Sequence, residues 1–141
     1  MKPYERRVQY YETDRMGVAH HANYIHWMEE ARIDLMERMG FPYAAMEEKG
    51  IVSPVKSLTC EYLRSCTFGD TLTVEGAVDS FNGVVMTIRY TMRNAGGDTV
   101  CKALSEHVFL TKDGRFARVR REMPDFCAAV EAMLADKKDS P

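Results

Sequence analysis

From Tyr4 to Tyr11, Tyr4, Val8 and Tyr10 fall on one side of a two-residue period and Glu5, Arg7 and Gln9 on the other, with Arg6 and Tyr11 as exceptions, and a first strand is expected there. Glu12-Thr13-Asp14-Arg15-Met16-Gly17 then reads as a polar, Gly-containing turn. From Asn23 to Met39 the period changes. Tyr24, Trp27, Met28, Ala31, Leu35 and Met39 fall at i, i+3, i+4, i+7, i+11 and i+15, the stripe of a long amphipathic helix, with Glu29, Arg32 and Glu37 largely off it. Gly40 suits the residue just past the helix end, and Pro42 prevents continuation. A short second helix is expected over Tyr43 to Lys49, closing at Gly50.

From Ile51 to Arg120 the chain reads as strands and turns. Thr71 to Asp79 alternates, and Val84 to Arg93 gives the clearest half-buried strand. Asn82-Gly83 between them predicts an antiparallel hairpin with a type I′ turn. Asn94 to Asp98 turns into a strand over Thr99 to Thr111, and Lys112-Asp113-Gly114 into a last short strand near Phe116 to Arg120. Pro124 opens a C-terminal helix with Phe126, Val130, Met133 and Leu134 on one side. Connections this short exclude a parallel sheet with crossover helices, so the class is α+β, a helix on one face of an antiparallel sheet. Residues 1–135 read as a single domain and 136–141 as a frayed polar tail.

Composition narrows the partners. The chain has 141 residues, and 45% hydrophobic with 28% charged content excludes a disordered or fibrous protein. Its 19 Lys and Arg against 21 Asp and Glu leave a net charge of −2, which argues against a surface built for nucleic acid. An anionic ligand needs a local basic cluster, and Arg115, Arg118, Arg120 and Arg121 provide one. Arg118 and Arg120 share a face if that segment is a strand. Phosphate binding and a solvated edge-strand charge cluster both fit; Arg64 and Arg89 are weaker candidates. No apolar signal core follows the first residues and no run approaches the roughly 18 apolar residues of a membrane span, so a cytoplasmic protein without a transmembrane segment is expected. Cys60, Cys66, Cys101 and Cys127 form no C-x-x-C pair and are expected to pack as reduced, small apolar residues.

The densest reactive set is Thr13, Asp14, His20, His21, Asn23 and Tyr24, between the first strand and the long helix. A turn carboxylate followed seven residues later by a helix N-terminus is a layout for acyl transfer: open N–H groups can hold an oxyanion while the carboxylate acts on the adjacent carbonyl carbon. Asp in a turn also commonly bonds backbone N–H groups, and histidines at a helix start commonly cap it. No H-E-x-x-H, G-x-S-x-G, G-x-G-x-x-G or P-loop pattern is present, and no metal is expected. Trp27 and Met28 fit the core, with acyl-pocket lining as the alternative.

The run Gln9-Tyr10-Tyr11-Glu12-Thr13-Asp14-Arg15-Met16-Gly17-Val18-Ala19-His20-His21-Ala22-Asn23-Tyr24 resembles the active-site signature of hotdog-fold acyl-CoA thioesterases of the 4-hydroxybenzoyl-CoA thioesterase family, in particular the branch associated with bacterial Tol-Pal genes. Glu30-Ala31-Arg32 and Phe68-Gly69-Asp70-Thr71-Leu72-Thr73-Val74 extend the likeness. The resemblance implies five or six antiparallel strands wrapped around a long central helix, and edge-to-edge dimers, often paired into tetramers, with sites at the subunit interface. It implies that Asp14 is the catalytic carboxylate and that the His21 backbone N–H faces the thioester oxygen while its side chain positions substrate or water. Gly17 and Val18 then shape the turn, and Asn23 and Tyr24 fix the helix start. No cofactor is implied, coenzyme A being part of the substrate; acyl carrier protein is a second possible donor. The expected substrates are short- to medium-chain or aromatic acyl-CoAs. The rivals are a hotdog hydratase or dehydratase and a noncatalytic acyl-CoA-binding module.

Overall fold

The computed structural model describes residues 2–139. In chain order it holds β1 (Tyr4–Arg7), a 3₁₀ turn (Tyr10–Glu12), α1 (Ala22–Arg38), α2 (Tyr43–Glu48), β2 (Ile51–Val52), β3 (Val55–Tyr62), β4 (Thr71–Phe81), β5 (Met86–Arg93), β6 (Thr99–His107), β7 (Leu110–Thr111), α3 (Val119–Glu122) and α4 (Pro124–Asp139). Five strands form an antiparallel sheet in the order β1-β4-β5-β6-β3, and β2 and β7 make a separate antiparallel pair. The class is the expected α+β. No helix among the described residues is long and apolar enough to cross a membrane.

The chain divides into two compact units. The first gathers the segments up to Leu35, Thr59–Ala77 and Arg89–Leu104. Here β1 pairs with β4 from Tyr4↔Val74 to Arg7↔Thr71. The predicted stripe of α1 supplies Trp27, Met28, Ala31 and Leu35 to a core shared with Leu72, Val74, Tyr90 and Met92. Gly76 lets α1 lie close to the sheet: a Cβ there would stand 3.7 Å from the Tyr90 ring and 4.0 Å from Leu35 Cδ2. The second unit contains Met36–Leu58, Val78–Ile88 and the segment from Ser105 onward. Its centre is a cluster of Phe41, Phe81, Phe109 and Phe126, whose neighbouring rings meet edge to face at 5.4–6.4 Å. Gly40, at φ +89°, ends α1 as predicted. Its N–H bonds the Glu37 carbonyl at 3.0 Å and the Phe41 N–H bonds Met36 at 2.9 Å, the paired contacts of a Schellman termination.

Several boundaries depart from the sequence reading. The first strand stops at Arg7 and the chain turns through Tyr10–Glu12, because the Glu12 carboxylate reaches back to accept the Gln9 N–H at 2.8 Å. The β4–β5 turn is not type I′: among the described residues no non-glycine has positive φ. Instead Asn82 Oδ1 accepts the N–H groups of Val84 and Val85, while Gly83 alone takes φ +91°. The strand expected over Thr99 to Thr111 breaks after His107, and Leu110–Thr111 pairs with Ile51–Val52. The strand expected near Phe116 to Arg120 is a single bridge, Leu110↔Phe116, followed by the short helix α3. Helix α4 runs through Asp139, into the segment expected to be a frayed tail; Ser140 and Pro141 lie outside the described residues.

Candidate active site

The first unit holds Asp14, Gly17, Val18, His21, Asn23 and Tyr24 together. Residues 14–17 form a tight turn closed by the Gly17 N–H on the Asp14 carbonyl at 3.0 Å. Gly17 takes φ +80°, which a side chain would strain even though a Cβ would meet nothing within 4 Å. Val18 closes the turn's neck by accepting the Asp14 N–H at 2.9 Å, and it bridges to Thr67. The Asp14 carboxylate is half-buried. Its Oδ1 accepts the Met16 N–H at 2.8 Å, the backbone bond typical of a turn aspartate, and Oδ2 takes no bond from any described residue. One carboxylate oxygen therefore orients the group and the other is open.

A second loop supports the turn and accounts for Phe68-Gly69-Asp70. Asp70 Oδ2 accepts the Thr67 N–H at 2.9 Å, and Thr67 Oγ1 donates to the Gly17 carbonyl at 2.8 Å. Gly69, at φ +90°, lets its N–H reach Val8.

At the start of α1 the side chains sort into distinct tasks. His20 Nδ1 accepts the Ala22 N–H at 3.1 Å, so this histidine caps the helix. The Asn23 N–H bonds the His20 carbonyl at 3.0 Å. The His21 N–H has no partner among the described residues, which leaves it as an open donor at a positive helix terminus. Asn23 Nδ2 donates to the Glu12 carbonyl at 2.7 Å, joining the helix start to the beginning of the Asp14 loop. Tyr24 is buried with its hydroxyl 3.1 Å from Cys66 Sγ, and burial followed by that contact raises its pKa. The His21 ring stacks on His20 with centroids 4.1 Å apart and meets Tyr62 edge on at 6.3 Å.

Three participants are absent from the sequence-derived set. Tyr62 donates to the His21 carbonyl at 3.0 Å and sits edge on to Tyr24, bringing a strand residue to the helix start. Glu12 is 3% exposed and bonds both β1 and α1. Trp27, expected in the core, is there, but its indole N–H donates to Glu12 at 2.9 Å. The polar, Gly-containing run placed Glu12 in a turn; its burial follows from contacts distant in sequence.

Arg115, Arg118 and Arg120 lie in the second unit. The loss of the predicted strand removes the shared face expected for Arg118 and Arg120, since Arg118 precedes α3 and Arg120 lies within it. Arg115 pairs with Asp113 at 3.1 Å, and Arg120 pairs with Glu131 and lies over the Phe81 ring. Arg118 and Arg121 are exposed, without an ion pair among the described residues, beside a shallow groove that includes Phe116 and Val84.

Residues 8–133 match the model of the thioesterase-like superfamily. YneP of Bacillus subtilis (strain 168), provisionally named an acyl-CoA thioesterase, is 36% identical over 128 residues, covering 90% of this chain and 93% of its own. The 1,4-dihydroxy-2-naphthoyl-CoA hydrolase of Thermosynechococcus vestitus is 27% identical over 78% of this chain and 76% of its own. Among solved structures, the DHNA-CoA thioesterase of Staphylococcus aureus superposes with a TM-score of 0.94 at 30% identity, over 99% of this chain and 95% of that one.

Proposed function

This chain belongs to the thioesterase-like superfamily and has its hotdog fold, and from that membership we propose that it hydrolyses acyl-CoA thioesters, releasing coenzyme A and a carboxylic acid. The observation that carries the reading is the pairing of a half-engaged Asp14 carboxylate with an open His21 N–H at the start of α1. A thioester needs one group to deliver oxygen to the carbonyl carbon and one to hold the oxyanion, and the thiolate leaves readily. Asp14 Oδ2 accepts a proton from water as the water oxygen bonds to the carbonyl carbon. The His21 N–H receives the oxyanion; collapse breaks the C–S bond and the departing thiolate takes a proton. In the covalent variant Oδ2 itself attacks, forming a mixed anhydride that water then cleaves. Neither route uses a cofactor.

The expected acyl groups are short- to medium-chain or aromatic. Support for aromatic acyl groups comes from the His21, Tyr24 and Tyr62 rings at the helix start and from the relative named a 1,4-dihydroxy-2-naphthoyl-CoA hydrolase. A homodimer or homotetramer is part of the proposal, with acyl carrier protein as a second possible donor.

The test is thiol release over straight-chain, hydroxylated and aromatic acyl-CoAs. Asp14→Asn is expected to lower kcat by about 10²-fold to 10⁴-fold while substrate binding stays measurable. His21→Ala is expected to cost much less, because the donor is backbone. Full activity in Asp14→Asn removes that residue from the mechanism. Product formation without free thiol identifies a hydratase, and binding without turnover a binding module.

A further inference from the structure

We propose that Glu12 is a positioning residue, a buried carboxylate that sets the Asp14 loop against the start of α1. Its side chain is saturated: Oε1 accepts from Arg6 Nη1 at 3.0 Å and from the Gln9 N–H at 2.8 Å, and Oε2 from Arg6 Nη2 at 3.0 Å and Trp27 Nε1 at 2.9 Å. A carboxylate with both oxygens doubly engaged and almost no exposed surface has no capacity left for substrate. It acts through what it holds. The bidentate Arg6 contact fixes β1, and Arg6 in turn meets Glu30 of α1 at 2.9 Å, where the Tyr4 hydroxyl also donates. The Trp27 contact fixes the second turn of α1.

The backbone of the same residue completes the device. The Glu12 carbonyl accepts the His20 N–H at 2.8 Å and Asn23 Nδ2 at 2.7 Å. Residue 12 thus ties together both ends of the loop that carries Asp14 at one side and delivers His21 at the other. The Thr13↔Ala19 bridge continues that closure toward the turn. A carboxylate base and an oxyanion donor are useful only at a fixed separation, and a displacement near 1 Å can cost about 10²-fold in rate. Six hydrogen bonds accepted by this one residue supply that rigidity. Glutamine at position 12 keeps the shape, but its amide turns one acceptor oxygen into a donor aimed at N–H groups and leaves Arg6 short of a charge.

The proposal rests on the reading of Asp14 and His21 as the reacting groups, and the experiment separates the two. In Glu12→Gln, kcat for acyl-CoA hydrolysis is expected to fall about 10-fold to 10²-fold with KM within about threefold of the original. Exchange of the His20 amide is expected to accelerate, a readout independent of activity. Val130→Ala, a cavity in the buried face of α4, serves as a comparably destabilised control and is expected to keep its kcat. If Glu12→Gln fails to fold, Trp27→Phe removes one of the four side-chain bonds and is expected to lower kcat in the same direction. A folded Glu12→Gln or Trp27→Phe enzyme with kcat unchanged overturns the proposal, as does a loss that the Val130→Ala control reproduces. Failure of the functional reading looks different: Asp14→Asn then keeps full activity.

Discussion

Cys60 differs from the other three cysteines in its chemistry as well as its exposure. Cys66, Cys101 and Cys127 are buried with pKa values raised, whereas Cys60 is half-buried and lowered to about 7. The largest cause is the Cys101 thiol, 4.0 Å away, which can donate to a Cys60 thiolate; burial opposes it, and Tyr62 adds a second favourable contact. Met28 Sδ lies 3.6 Å from the same sulfur. The thiolate is the reactive form, so alkylation should follow its fraction, rising with pH through a midpoint near 7 and levelling above it. Cys60 is expected to react first with iodoacetamide at neutral pH, followed by mass-resolved peptide mapping. Replacing Cys101 by Ala removes the main stabiliser of the thiolate and should move the midpoint upward, toward an ordinary thiol. Uniform labelling of all four cysteines, or a midpoint that Cys101→Ala leaves unmoved, contradicts this account. Sequence composition suggested four inert thiols because the Cys60–Cys101 contact joins residues 41 positions apart on neighbouring strands.

At the scale of elements, β3 is anomalous. It stands at the end of the sheet order, and every residue but Cys60 is exposed, including Val55, Leu58 and Tyr62. A strand of eight residues with a free edge and apolar side chains invites another strand, and β3 carries a single lysine, Lys56, as protection. A second copy of this chain is the proposed occupant. Leu58→Lys is therefore expected to shift the sedimenting mass to that of one chain and to lower activity where the site needs its neighbour. An unchanged mass excludes β3 as the contact. Other elements show where a sequence pattern suffices. The α1 stripe, Gly40 and Pro42 foretold a helix to within about a residue at each end, because its start, stop and buried face are local properties. The Phe116 to Arg120 segment misled, since an alternation as short as that of Ala117 to Arg120 is compatible with a bridge followed by one helical turn. Asn82-Gly83 gave the hairpin but not its turn type, because the Asn82 side chain satisfies two backbone N–H groups and removes the need for positive φ at that residue. At the site, Asp14 and His21 stood out by residue type and spacing, whereas Glu12 and Tyr62 did not: their significance lies in partners brought together by folding.

For the whole molecule, charge is the property that connects fold to ligand. With a net charge of −2 the chain offers a phosphate-bearing substrate no general attraction, so any attraction must be local and screened within about 10 Å at 0.1 M salt. Of the candidate arginines, Arg115 and Arg120 already face Asp113 and Glu131, and a phosphate would have to compete with those carboxylates. Arg118, exposed and without such a partner, is the position at which a new charge-assisted bond costs least. Arg118→Glu is expected to raise KM for acyl-CoA about tenfold, the size of one such bond, and to leave KM for the same acyl group on a short thiol lacking phosphates unchanged. Raising salt should mimic the substitution in the parent enzyme and have little further effect in the variant. Arg120→Glu should behave differently, repelling Glu131 and losing the Phe81 contact, and so should appear first as a lower Tm. Equal KM changes with both thioesters in Arg118→Glu would assign the arginine to the acyl end or to folding and leave phosphate recognition to other groups.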